Sequence, residues 1–249
     1  VTALPASTRL AWWGTAWLRG TVVTDLLLDA VIGDDATHTI AGLAELGLGG
    51  EEDTAETLLG GLARLRAEGA TGFGAAFPVE GDLCGLGGPG PFNADALDAG
   101  EAVVVLGTEV GLVPFRVGAV TTWHAHRAAR RQLPDVGEAD RLLRQTLPQT
   151  ADTLAALEVA RWRPEVADHL MDLRHRAPVT GPAGTPPRCV ELAARALQAL
   201  AIVDIALEDD GGAISAHEAD TRRAALVPLA RAGRHALVAA SSPEVWPPT

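Results

Sequence analysis

The amino-acid sequence predicts an α+β fold: a small, mainly antiparallel sheet with N-terminal helices, followed by a C-terminal helical bundle. Three observations predict it. Residues 101–127, EAVVVLGTEVGLVPFRVGAVTTWHAHR, make one long β-branched and apolar run, cut by glycines into strand-sized pieces. Ahead of that run, leucines and tryptophans recur three and four apart, the spacing of one helix face. Beyond Pro134 the chain is rich in alanine, leucine and arginine at helical period. The expected organisation is an α+β region at 1–133 and a helical bundle region at 134–249 packed on it.

In chain order, Ser7 or Thr8 is expected to cap a helix that runs to Arg19 and stops at Gly20. Leu10, Trp13, Gly14, Trp17 and Leu18 share its apolar face. Trp12 lies off that face, so it is covered either by another element of the chain or by a partner subunit. Thr24 is expected to cap a short helix ending at Gly33, and His38, Thr39 and Ile40 suit a short strand. Asp53 or Thr54 would open a third helix, striped by Leu58, Leu59, Leu62 and Leu65 and ending at Gly69. Residues 70–79 read as a buried strand of small residues with Phe73 and Phe77. Residues 81–93 are too rich in glycine and proline for regular structure. Asn93 then caps one or two helical turns ending at Gly100.

Residues 101–106 read as a strand buried on both faces. Residues 112–117 and 119–126 read as two more, joined so closely that antiparallel neighbours are expected. Pro114 places its strand at an edge or a bulge, because it has no N–H for a ladder. Asp135 should cap a helix reaching Arg161, kinked or broken at Pro148. Pro164 opens another, to about Arg176. Thr185 and Pro186 start a long helix to Gly211. Ser215 with Glu218 forms a capping box for the last helix, to about Ala240. The tail after it is ordered if Trp246 finds a pocket.

Composition narrows the function classes. A chain of 249 residues with 47% apolar content holds a sizeable core. The net charge of -12 argues against nucleic acid and against an anionic membrane surface. All 20 basic residues are arginine, so lysine Schiff-base and P-loop chemistry are excluded, and no cofactor is implied. Two cysteines far apart, Cys84 and Cys189, favour a reducing compartment, here the cytoplasm. No run is long and apolar enough for a membrane span, and the opening residues lack the charged segment and apolar core of a signal peptide.

The firmest side-chain expectation concerns the last two helices. Asp204 falls on the apolar side of its helix with Leu197, Leu200 and Leu207. Arg222 falls on the stripe of Leu226, Leu229, Gly233 and Leu237. If the intervening turn is tight, the two charges lie level and pair. Elsewhere, His124 and His126 stand two apart on a strand, so both imidazoles point the same way and suit a shared metal. The ordinary alternative is two solvated rings. The spacing of Gly118, His124, His126 and Gly137 is similar to the first cupin motif. Its glutamate position is Arg130, and helix follows rather than strand, so no membership follows from it.

The loop at 81–93 offers backbone N–H groups to an anion, with Gly87, Gly88 and Asn93 as candidate ligand contacts. Its glycine spacing is neither a dinucleotide fingerprint nor a P-loop. Asp82 and Cys84 are its reactive residue types, and Cys84 as a nucleophile requires a nearby histidine. Arg127, Arg130 and Arg131 form a local basic cluster, expected to pair with carboxylates of the same chain. Two function classes follow. One is a non-enzymatic binding or scaffold protein, homo-oligomeric, with a small-molecule ligand allowed. The other is a small-molecule enzyme of hydrolase type, its site between the 81–93 loop and the sheet.

Overall fold

In the computed structural model, which describes residues 4–49, 54–156, 178–208 and 216–247, the central run forms three strands of a six-stranded sheet. They are β4 (Ala102–Leu106), β5 (Val110–Val117) and β6 (Val120–Arg127). Val117 pairs with Val120 across a two-residue turn whose Gly118 sits at φ 61°, the left-handed backbone that a short hairpin requires. Small residues at 72–76 make β3 (Gly72–Ala76), antiparallel to β4. The expected antiparallel run β4-β5-β6 is therefore present, and β3 extends it into a four-stranded meander. β6 also pairs in parallel with β1 (Thr37–Ala41), which is flanked by the two-residue β2 (Glu56–Thr57). The order is β2-β1-β6-β5-β4-β3.

Pro114 behaves as a residue with no ladder partner on one side. β4 pairs with β5 only at Val110, Gly111 and Leu112. Beyond Leu112, β5 is bonded to β6 alone, so the missing N–H faces no strand. This early end of the β4 ladder opens the space described in the next subsection.

Helix α1 (Ala6–Arg9) passes through a π-helical stretch (Leu10–Gly14) into α2 (Thr15–Leu18), and Gly20 follows at φ 73°. The helix begins after Pro5. Ser7 and Thr8 are buried within it rather than capping it, and the Ser7 N–H is taken by the Glu101 carboxylate at 2.9 Å. Gly14 lets this helix lie against β3; a Cβ there would stand 2.7 Å from the Phe73 ring. Trp12 is fully buried and donates its indole N–H to the Ala240 carbonyl at 3.1 Å. Its cover is thus the C-terminal helix of its own chain, and the partner-subunit reading of Trp12 falls.

Helix α3 (Thr24–Ile32) starts after Val23, and the Thr24 hydroxyl accepts from the Trp17 indole instead of capping. Helix α4 (Leu58–Ala67) begins later than Asp53 or Thr54. Thr57 is the cap, its hydroxyl accepting the Gly60 N–H at 3.1 Å, because residues 56–57 are drawn into the sheet. Helix α5 (Gly90–Ala99) likewise starts earlier than expected, after Pro89, and closes on left-handed Gly100.

Asp135 caps α6 (Val136–Ala156) as expected, its Oδ1 accepting from the Gly137 and Glu138 N–H groups. The helix continues through Pro148 without a break. The expected extension to Arg161 and the helix opened by Pro164 lie outside the described residues. So do the turn after the next helix and the Ser215 capping box. Helix α7 (Pro187–Glu208) and helix α8 (Ala216–Ala240) follow, with α8 packed against both α6 and α7. One core runs from Leu10 and Trp12 through Phe73, Val103 and Trp123 to Leu192, Leu229 and Leu237. A smaller one, around Phe92 and Val104, lies on the opposite sheet face under α5. No helix among the described residues is long and apolar enough to cross a membrane.

Candidate functional site

Where β4 leaves β5, a cleft of about 810 Å³ opens. Its walls are the start of α1, the outer half of β5, β6 and the exposed side of α5. Helix α5 is pinned to the sheet by Phe92, whose ring occupies the space a Cβ on Gly111 would need. The helical repeat of about 3.6 residues then brings Asp95 and Asp98, three apart on one face, to the cleft. The strand alternation expected from the sequence puts His124 and His126 into it together.

His126 Nε2 lies 3.3 Å from Asp95 Oδ2, yet it is buried and not aligned for a hydrogen bond. Burial pushes the His126 pKa below its ordinary value; Asp95 opposes this and His124 adds to it. His124 is exposed, and its ring meets Phe115 edge-on, with centroids 6.1 Å apart. At the base, Glu101 holds the Ser7 N–H while burial raises its pKa, opposed by that bond and by Arg9. Arg9 is shifted down by burial, against the pull of Asp35, Glu101 and Asp34, and its Nε has no hydrogen-bond partner among the described residues.

The far end of the cleft is a closed network that the sequence did not announce. Asp35 accepts from Thr121 Oγ1 at 2.9 Å and from the Arg116 guanidinium, and lies 3.0 Å from His38 Nε2. The Trp123 indole can only donate, and it meets His38 Nδ1 at 3.2 Å. His38 Nε2 therefore carries the hydrogen and donates to Asp35. That neutral tautomer agrees with burial, which lowers the His38 pKa against the pull of Asp35. Asp35 sits below its ordinary pKa: burial raises it, and the bonds from His38 and Thr121 with the charge of Arg116 outweigh that. Only the pairing of β1 with β6, distant in sequence, brings these groups together.

The 81–93 loop is built differently. Asp82 lies 3.0 Å from His235 Nε2 and 3.3 Å from Arg234 Nη2, both on α8. Its pKa falls below the ordinary value, burial being outweighed by His235, the Cys84 N–H and Arg234. The fold half-buries His235 on this carboxylate. The Cys84 thiol is pushed up to about 11 by burial and by Asp82, the opposite of the shift that arms a thiolate. Gly88 donates its N–H to Asn93 Oδ1 and accepts from the Ala129 N–H. Asn93 is thus inside α5, not its cap. A Cβ on Gly87 would lie 2.4 Å from the Arg130 carbonyl. Gly88 and Asn93, considered for a ligand, are here engaged in holding the loop under the chain leaving β6, and Gly87 packs closely against that chain.

In the basic cluster, Arg131 is buried on Glu244, and Arg127 lies 3.8 Å from Glu109. In the terminal helices, Arg222 is buried and Asp204 stands on the exposed side of α7; both side chains have interaction partners. Among the described residues, no group of three or more His, Cys, Asp or Glu side chains is placed to hold a metal ion.

Two family models match the chain. "Rv1486c-like protein, N-terminal domain" matches residues 7–139, and "Rv1486c-like protein, C-terminal domain" matches residues 137–238. The chain is 28% identical to the "Uncharacterized protein Rv1486c" of Mycobacterium tuberculosis (strain ATCC 25618 / H37Rv), over 97% of this chain and 98% of that protein. It is 34% identical to the "Uncharacterized protein MT1533" of Mycobacterium tuberculosis (strain CDC 1551 / Oshkosh), over 43% of each. No solved structure gives a significant match.

Proposed function

We propose that this chain, which belongs to the Rv1486c-like family, is a binding protein for a small polar molecule held in the cleft between α5 and the β5–β6 hairpin. The supporting observation is convergence: His124, His126, Asp95 and Glu101 line one space of about 810 Å³, a size that suits a small-molecule ligand. The Asp82 and Cys84 loop, the earlier candidate, lends less support, because its polar groups are tied to α8. Both cysteines are free thiols, which supports a reducing compartment such as the cytoplasm.

The test is a melting screen of the full chain against metabolites, nucleotides and metals, followed by the cleft variant His124→Trp. A ligand is expected to raise the melting temperature of the parent and not that of H124W. A ligand that stabilises both equally binds elsewhere and removes this reading. Two other readings each have one observation in their favour. The approach of His126 to Asp95 supports an enzyme using the same cleft for acid–base work; turnover of the bound molecule would replace the binding-protein reading with it. Phe115 and Val117, 62% and 64% exposed, support a self-associating scaffold, which light scattering decides.

A further inference from the structure

The reading of the cleft as a ligand site leaves the ligand's chemistry open, and the inference here rests on that reading. The charges around the cleft divide into two groups. Asp35 is already shared among His38, Thr121 and Arg116. Arg116 also gives its Nε–H to the Gly118 carbonyl. Glu101 is held by Ser7, with Arg9 pulling on its charge. At the other end, Asp95 has, among the described residues, only the misaligned approach of His126. Among the described residues no side chain pairs with Asp98, and both aspartates are exposed on α5.

Across from that acidic wall the sheet offers apolar and aromatic surface. Val113 is buried, and Phe115, a residue 62% exposed, lines the same space. An exposed phenylalanine in the same cleft as two carboxylates with no arginine on them among the described residues is a pairing of features that an ammonium on a hydrocarbon body satisfies twice. The charge meets the carboxylates, and the ring face attracts the cation or packs on its stem. The neighbouring imidazole of His126 is held toward its neutral form by burial, so it does not repel a cation at neutral pH. The field of the whole chain, with a net charge of -12, draws cations toward it.

We propose that the cleft takes a small organic cation, its ammonium group between Asp95 and Asp98 and its hydrocarbon body against Phe115 and Val113. A small anion is disfavoured at that end, since Asp95 and Asp98, the charged side chains α5 presents there, are both acidic.

Three probes of matched shape test it by calorimetry on the full chain: phenethylamine, phenethyl alcohol and 3-phenylpropionate. The amine is expected to bind at least tenfold more tightly than either of the others, and more weakly as salt is raised. The double variant Asp95→Asn with Asp98→Asn, both at exposed positions, is expected to lose at least tenfold in amine affinity while melting as the parent does. Phe115→Ala is expected to weaken the amine severalfold. Equal binding of amine and alcohol, or full amine affinity in the double variant, overturns the inference. Preference for phenylpropionate, lost in H124W, overturns the cation while leaving the cleft as a ligand site. Failure of all three probes overturns the cation, and silence of the broader melting screen as well removes the cleft reading with it.

Discussion

Glu101 shows how one residue reports its surroundings. It immediately precedes the strand that the sequence makes most apolar, and its carboxylate accepts a backbone N–H of α1 in a place that disfavours charge. Its pKa in the folded chain lies above the ordinary carboxyl value, so the stability it contributes is fully present below that value. It is lost as pH rises through the folded pKa. Glutamine keeps an acceptor for Ser7 and removes the titration. Glu101→Gln is therefore expected to melt higher than the parent by about 2–4 °C near pH 7.5, with the gap closing toward pH 4. Circular dichroism melts across that range check it, and a gap independent of pH would sink it. The carboxyl was readable in the sequence, but its burial was not, because the first turn of α1 supplies it from 94 residues away.

At the scale of elements, the helix caps separate local from non-local causes. Asp135 was legible as a cap because its acceptor reaches N–H groups two and three residues on. Asn93 and Ser7 were misread, since a strand exit and a distant carboxylate decide what those segments do. The α7–α8 hairpin carries the pair we propose between Asp204 and Arg222. Arg222 is buried and Asp204 stands at solvent, so the coupling is expected to be modest. A double-mutant cycle on Asp204→Asn and Arg222→Met should give about 0.5–1 kcal/mol. Additive effects, with no coupling, would end the pairing.

For the whole molecule, the last residues act as a strap across the sheet edge. Ser241 accepts the Ala75 N–H of β3, and Trp246 donates to the Ala240 carbonyl. The Arg131 guanidinium, nearly fully buried, bonds Glu244, Ser242 and the carbonyls of Ala75 and Gly85. Removing the carboxylate strands that charge, so Glu244→Gln is expected to cost about 3 kcal/mol in urea denaturation. The double variant with Arg131→Met should recover part of it. A loss within error for E244Q would show that the strap does not carry this stability.

The sequence by itself determined the α+β class, the meander, the helical second half and the shared direction of His124 and His126. Each follows from short-range periodicity, which backbone geometry converts directly into faces and turns. Tertiary structure alone decided which charges meet. The parallel pairing of β1 with β6 brought His38 and Asp35 to Trp123 and Thr121, and the packing of α8 under the glycine-rich loop brought His235 to Asp82. It also made the cleft, which exists because the β4 ladder ends before Pro114. Burial and electrostatic pairing depend on neighbours through space, and no spacing along a chain encodes them.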